Sequence, residues 1–319
     1  MILSKEIVED FYIKYPVFEF ENSAIKCVAN PVISVIIITF QQVDFIKSAI
    51  EGVLQQKCSK GFEVIICDDD STDGTREICI EYATKFPQMI RLFLHKRENN
   101  IKVLGKPCGI FQYVYSLLQA RGNYIAICSG DDFWQDEFKL EKQSDFLLNN
   151  PSYSLVYHGW VEAEFDKQST SYLHESELKK SFPKASTCMH VNFSEEIPSQ
   201  FLEVIQEDVF SWFILEQKGK FMCLPDIKPT VITVLPESLS RSNTKKEFVL
   251  QAINVQEKIL EAYTNTSFEI KAKEKFIGTI RGLLNSKKNK SIYYWLLNKS
   301  VFLFFKHNLF LTALKKFVS

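Results

Sequence analysis

Residues 32–39 read VISVIIIT, a run that is almost wholly β-branched and apolar. Such a run marks a strand buried on both faces, because the usual in–out alternation disappears when helices cover both sides of a sheet. Working outward, Ile46, Ala49, Ile50, Val53 and Leu54 recur at helical spacing. The same alternation then repeats. FEVIIC (62–67) leads to TREICIEYATKF (75–86), stopped before Pro87, and MIRLFLH (89–95) leads to IFQYVYSLLQA (110–120), closed by Gly122. YIAICS (124–129) leads to a helix over 137–150, ended by Asn149-Asn150-Pro151. Four strand–helix alternations with short connections predict an α/β fold with a Rossmann-like, mostly parallel sheet flanked by helices. Residues 1–31 form a lead-in of a helix plus an extended linker. Beyond Pro151 strands are expected at 153–158, 187–193 and 230–235, and a helical pattern from about Lys245. The chain thus divides into a lead-in (1–31), a main domain (32–244) and a C-terminal helical extension (245–319).

Composition narrows the function classes. The 319 residues carry 38 Lys plus Arg against 39 Asp plus Glu, so no global charge favours nucleic acid. The 27 phenylalanines argue for a filled core and against disorder. Eight cysteines include no C-x-x-C pair, and Cys67, Cys79, Cys128 and Cys223 lie in apolar runs, which reads as reduced thiols in a cytosolic protein. The stretch MILSKEIVEDFYIKYP carries acids and no apolar core, so no signal peptide is expected. No run reaches the ~18 apolar residues of a membrane-spanning helix.

In an open α/β sheet, ligands bind beyond the carboxyl ends of the strands. Three of those ends read TFQQ (39–42), DDDSTDGT (68–75) and SGDDFW (129–134), and they are expected to open into one crevice. Adjacent carboxylates at a buried strand end need a positive partner. Hard oxygens such as Asp131 and Asp132 suit Mg²⁺ or Mn²⁺, which would in turn neutralise the phosphates of a nucleotide sugar. Asp69 or Asp68 would hydrogen-bond the nucleotide base, with Thr39 at the strand end and Phe40 in reach to stack. A separate carboxylate must take the proton of the attacking hydroxyl. QEDVFSWFILEQKGK (206–220) supplies Glu207 and Asp208 at a helix start, where the dipole favours an aspartate.

SVIIITFQQVDFIKSAIEGVLQQK, FEVIICDDDSTDGT, ARGNYIAICSGDDFWQDEFKLEKQSDFL and QEDVFSWFI together resemble the family 2 glycosyltransferases with the GT-A fold, over roughly residues 32–240. The likeness is to bacterial members with a G-D-D-[FY]-W block. It implies an inverting transfer from a nucleotide-activated sugar, favouring UDP, to a glycan or lipid-linked hydroxyl, with Mn²⁺ or Mg²⁺. By motif position Asp69 falls on the base contact, Asp131 and Asp132 on the metal-binding D-x-D block, and Asp208, with Glu207 beside it, on the catalytic base. Ser129 replaces the first acid of the D-x-D, Gln41 stands where an Asn often follows the first strand, and Asp70 replaces a common Gly. The implied setting is bacterial surface-polysaccharide synthesis at the cytoplasmic face of the inner membrane.

Other readings accompany this one. VIICDDDST also satisfies the D-x-D-x-T nucleophile motif of haloacid-dehalogenase-like phosphatases, with Asp68 as nucleophile and Asp70 as acid–base. A catalytically inactive GT-A binding domain is the third. Asp73 reads as a turn and capping residue, Phe133 and Trp134 as core, His158 as a satisfied buried histidine, and Arg97, Lys102 and Lys106 as a solvated loop. Residues 275–319 hold no acid, eight lysines and one arginine among aromatics. Over 290–319 that pattern suits either a peripheral membrane contact or packing on the main domain.

Overall fold

The computed structural model describes residues 5–20, 30–166, 171–175, 183–234 and 245–285. The helices are α1 (Lys5–Lys14), α2 (Ile46–Leu54), α3 (Thr75–Lys85), α4 (Ile110–Gln119), α5 (Lys139–Asn149), α6 (Glu207–Lys218), α7 (Lys245–Tyr263) and α8 (Glu269–Asn285). Strands β1 (Phe18–Glu19), β2 (Ile33–Thr39), β3 (Phe62–Asp68), β4 (Ile90–Leu94), β5 (Lys102–Val103), β6 (Lys106–Pro107) and β7 (Tyr124–Ile127) precede α5. After it come β8 (Tyr153–Tyr157), β9 (Trp160–Asp166), β10 (Ser171–Glu175), β11 (Met189–Val191), β12 (Lys220–Cys223) and β13 (Thr230–Val234). The chain divides into two compact units, residues 2–197 with 211–236 and residues 198–210 with 237–319.

In the larger unit an eight-stranded sheet runs in the order β1-β4-β3-β2-β7-β11-β8-β12. From β4 through β3 and β2 to β7 every pair is parallel, as the βα units require. Strand β11 then runs antiparallel to both β7 and β8, while β12 pairs parallel with β8. Helices cover both faces. Ile33, Val35 and Ile37 of β2 and Val64 and Ile66 of β3 share a core with Ile46, Ile50 and Val53 of α2 and Leu140 of α5. Helix α4 packs on β2 and β3 with Phe111 and Val114 buried, and α1 lays Phe11 and Tyr12 on its Phe111 and Tyr115 at 5.5 and 5.4 Å. Each fully buried Ile or Phe contributes roughly 1.5–3 kcal/mol, so the doubly covered strands are the firmest part of the scaffold.

A second sheet, β10-β9-β13, was not expected as such from the sequence. Strand β9 carries Glu162, Glu164 and Asp166, which lower strand propensity, and it is paired by β13, whose partner residue Thr230 is far from Trp160 in the chain. Strand β12 is only four residues long and directly follows a helix. The expected strands near 153–158, 187–193 and 230–235 are present at 153–157, 189–191 and 230–234.

In the smaller unit α7 and α8 pack together, with Ile253 and Leu260 facing inward from one and Ala272, Phe276 and Ile280 from the other. The 3₁₀ turn Ser199–Glu203 packs on α7, where Lys258 pairs with Glu203 at 2.5 Å. Among the described residues no helix is long and apolar enough to cross a membrane. The basic-aromatic stretch 290–319 lies outside the described residues.

Candidate active site

The three acidic and polar loops emerge at one level because the strands beneath them are in register. Thr39 pairs with Asp68 across β2 and β3. The amide of Asp69 donates to the Thr39 carbonyl, and that of Gly130 to the Ile38 carbonyl, both at 3.0 Å. The crevice outside the carboxyl ends of β2, β3 and β7 is therefore shared. Its walls are built from turn chemistry. Gly74 sits at φ +106°, a left-handed conformation that favours glycine. Asp73 accepts the Thr75 amide at 3.0 Å and the Val43 amide at 3.1 Å, which is the turn role expected of it.

Gly130 has a steric reason. A Cβ there would lie 2.4 Å from Gln42 Oε1 and 2.8 Å from Thr39 Cβ and Oγ1. Thr39 Oγ1 donates to Gln42 Oε1 at 2.8 Å, so the added atom would wedge apart the pair that floors the crevice. Gly130→Ala is expected to lower stability by about 1–3 kcal/mol, read by urea unfolding, and to weaken nucleotide binding with it.

On the β3 side, Asp68 is fully buried, with Oδ2 accepting from Arg76 Nε at 2.5 Å and from the Ser71 amide at 3.3 Å. Asp70 pairs with Arg76 at 3.2 Å. Both base-contact candidates keep an unpartnered Oδ1, and Asp69 is the slightly less deeply buried of the two. Its Oδ2 accepts from Arg97 Nη1 and from Asn100 Nδ2, the latter at 2.7 Å, while its Oδ1 and the Asn100 Oδ1 are buried with no partner. Burial raises the Asp69 carboxyl above its usual range, against the opposing pull of Arg97. Arg97 is not the solvated side chain expected from the sequence. Its guanidinium lies 3.8 Å over the Phe40 ring, the face expected to stack on a base. The short 3₁₀ turn Arg97–Asn99 after β4 delivers both Arg97 and Asn100, and the stretch KRENN carried no periodicity that could have shown this.

On the β7 side, Asp131 is half-buried and accepts a hydrogen bond from Gln42. Asp132 is buried, its Oδ1 accepting from the Thr233 amide at 3.0 Å and its Oδ2 from the Ser186 hydroxyl at 2.5 Å. Burial raises both carboxyls, and the charge of Asp131 raises Asp132 further. Among the described residues no basic group counters either one. Among the described residues no three His, Cys, Asp or Glu side chains gather to hold a metal unaided. Two hard carboxylates without a counter-ion suit a divalent cation that brings further oxygen ligands with it, as a diphosphate would.

Phe133 and Trp134 are structural, as expected. Phe133 bridges to Val231, and Trp134 is buried with its Nε1 donating to the Ser186 carbonyl at 2.7 Å. His158 is the satisfied buried histidine foreseen, with Nε2 2.9 Å from Thr230 Oγ1. Glu207 and Asp208 open α6, in the smaller unit. Burial, then the charge of Asp208, raises the Glu207 carboxyl. The phosphatase reading loses its nucleophile, because Asp68 is sealed beneath the loop and tied to Arg76.

The comparisons with known proteins agree with this architecture. The model of glycosyl transferase family 2 matches residues 34–194. An uncharacterized protein of Mycobacterium tuberculosis is 40% identical over 125 residues, 39% of this chain and 34% of its own length. The chain thus spans about a third of the curated relatives that head the comparison. The putative teichuronic acid biosynthesis glycosyltransferase TuaG of Bacillus subtilis is 28% identical over 200 residues, covering 60% of this chain and 74% of TuaG. The crystal structure of S. aureus TarS 1–349 in complex with UDP-GlcNAc superposes with a TM-score of 0.55 at 16% identity, over 84% of this chain and 80% of that one, a likeness of fold. With the family model spanning half of the chain and the GT-A fold beneath it, the protein belongs to glycosyl transferase family 2.

Proposed function

We propose that this chain is a metal-dependent, inverting glycosyltransferase that moves a sugar from a nucleotide-sugar donor, UDP-linked in preference, to a hydroxyl of a glycan or lipid-linked acceptor. The observation that carries the reading is the uncompensated pair Asp131–Asp132 in the same crevice as the unpartnered carboxylate oxygen of Asp69. The unpartnered Oδ1 atoms of Asp69 and Asn100 are acceptors that suit the ring N–H of a nucleotide base. Phe40 offers its ring to the base in place of Arg97. Asp131 and Asp132 would hold Mn²⁺ or Mg²⁺, which when bound supplies positive charge for the diphosphate leaving group. Asp208 takes the proton from the acceptor hydroxyl, a role that rests on motif order, and the first turn of α6 favours its charged form. The relation to TuaG supports a place in surface-polysaccharide synthesis; a peripheral contact at the cytoplasmic face through 290–319 rests on the basic-aromatic sequence alone.

The test is calorimetric titration of UDP and GDP with and without Mn²⁺, in the wild type and in Asp131→Asn. UDP affinity is expected to rise at least about tenfold with Mn²⁺, and the variant should lose that rise. Binding indifferent to metal and to Asp131 would overturn the proposal. Release of UDP from UDP-sugars separates an enzyme from an inactive binding domain, which would bind without turnover.

A further inference from the structure

We propose that the chain docks on anionic bilayers through the rim beside β1 and β4, with Ile13, Phe18 and the tip of the β5–β6 hairpin at Leu104 as its apolar contacts. This surface is separate from the stretch 290–319. The hairpin carries the argument furthest. Lys102 pairs with Pro107 and Val103 with Lys106, so Leu104 and Gly105 form its two-residue turn. Both have positive φ, +50° and +79°. Turns of this kind favour Asn-Gly, because a branched, bulky side chain crowds the backbone in the left-handed region. Burial does not offset that cost: Leu104 is 53% exposed, while Val103 beside it is buried. A strained backbone that holds an apolar side chain in the open points to a contact outside the chain.

Two more large apolar side chains stand open on the same rim. Strand β1 runs antiparallel to β4, with Phe18 opposite Leu94 at the carboxyl end of β4, and Phe18 is 62% exposed. Helix α1 lays Phe11 and Tyr15 on Phe111, at the start of α4, with ring centroids 5.5 and 5.2 Å away. Ile13 lies between those two in the chain, so it faces the other way, and it is 79% exposed. The hairpin joins the end of β4 to the start of α4, which places all three apolar groups at that level. Charge selects the partner. From residue 95 to 109 the chain carries Lys96, Arg97, Lys102 and Lys106 against Glu98 alone, and Lys14, Lys102 and Lys106 are exposed. Protein–protein interfaces are depleted in lysine, whereas apolar groups set among lysines suit a bilayer interface with anionic headgroups. The same connection delivers Arg97 and Asn100 to Asp69. Docking here brings the crevice mouth to the headgroups, where a lipid-linked acceptor presents its glycan. That consequence rests on the glycosyltransferase reading, and the docking itself does not.

The experiment sediments the full chain with vesicles of equal parts phosphatidylglycerol and phosphatidylethanolamine, and with phosphatidylcholine alone. Leu104→Asn, Phe18→Thr and Lys102→Gln are run beside it, and amide exchange over residues 101–106 is followed with and without vesicles. The wild type should bind the anionic vesicles and not phosphatidylcholine, with exchange at 101–106 slowed on binding. Leu104→Asn should weaken partition about tenfold. Its urea midpoint should be no lower than that of the wild type, since asparagine tolerates the left-handed turn. Lys102→Gln should weaken partition about fivefold. UDP affinity with Mn²⁺ should be unchanged in all three variants. Wild-type partition in both Leu104→Asn and Phe18→Thr, with exchange at 101–106 indifferent to vesicles, would overturn the proposal, as would a wild type that binds no anionic vesicle. A chain that docks through this rim but binds no nucleotide sugar would keep the docking and remove the glycosyltransferase reading.

Discussion

Asp208→Asn should lower kcat by about 10²–10⁴-fold while leaving UDP affinity in the presence of Mn²⁺ near its wild-type value. The substitution keeps the shape of the side chain and removes only its capacity to take a proton. Attack by a neutral hydroxyl then carries the full cost of deprotonation in the transition state. Glu207→Gln provides the internal control. Burial and the adjacent Asp208 charge already hold Glu207 toward its protonated form, so the neutral amide imitates its resting state. Its effect on kcat should stay under about tenfold. Steady-state UDP release, with affinity measured separately, reads both variants. The reverse ranking would move the base to Glu207.

Lys139→Met should change how stability depends on pH. Lys139 is fully buried, and burial lowers its pKa from 10.5 to about 7. Between those values the unfolded chain holds a proton that the folded protein does not, so the folded wild type gains stability as pH rises from about 7 toward 10.5. Methionine cannot titrate and shows no such gain. The stability difference between wild type and variant should therefore grow in favour of wild type by about 3 kcal/mol between pH 6 and pH 9. Cys128 and His158 feel the Lys139 charge, but burial holds the thiol well above and the imidazole well below their usual values, so both stay neutral in the folded protein over this range. Urea unfolding at several pH values measures it, and parallel curves would mean that Lys139 ionises as an exposed lysine does. Lys139 also donates to Gln143 Oε1 at 2.8 Å and lies 3.8 Å over the Trp134 ring, whose Nε1 holds the Ser186 carbonyl, so the variant should bind Mn²⁺–UDP more weakly even where it is as stable.

What the sequence determined by itself was local and periodic. The runs VISVIIIT and FEVIIC, and the helices between them, specify doubly covered parallel strands, because burial on both faces leaves a continuous apolar signature. The parallel connection rule then brings the loops that begin at Thr39, Asp68 and Ser129 to one edge, so Asp69 and Asp131 were legible as neighbours before any coordinates. The antiparallel insertion of β11 and the sheet β10-β9-β13 were not, since pairing between segments so far apart in the chain is a tertiary choice that short, partly acidic strands do not announce. Tertiary structure also decided the local chemistry. Arg97 covers Phe40 and neutralises Asp69, Asp68 is sealed by Arg76, and Ser186 and Thr233 take both oxygens of Asp132. A hydrogen bond depends on distances of a few tenths of an ångström between groups that meet only when the chain is folded, and residue spacing along the chain carries no record of them.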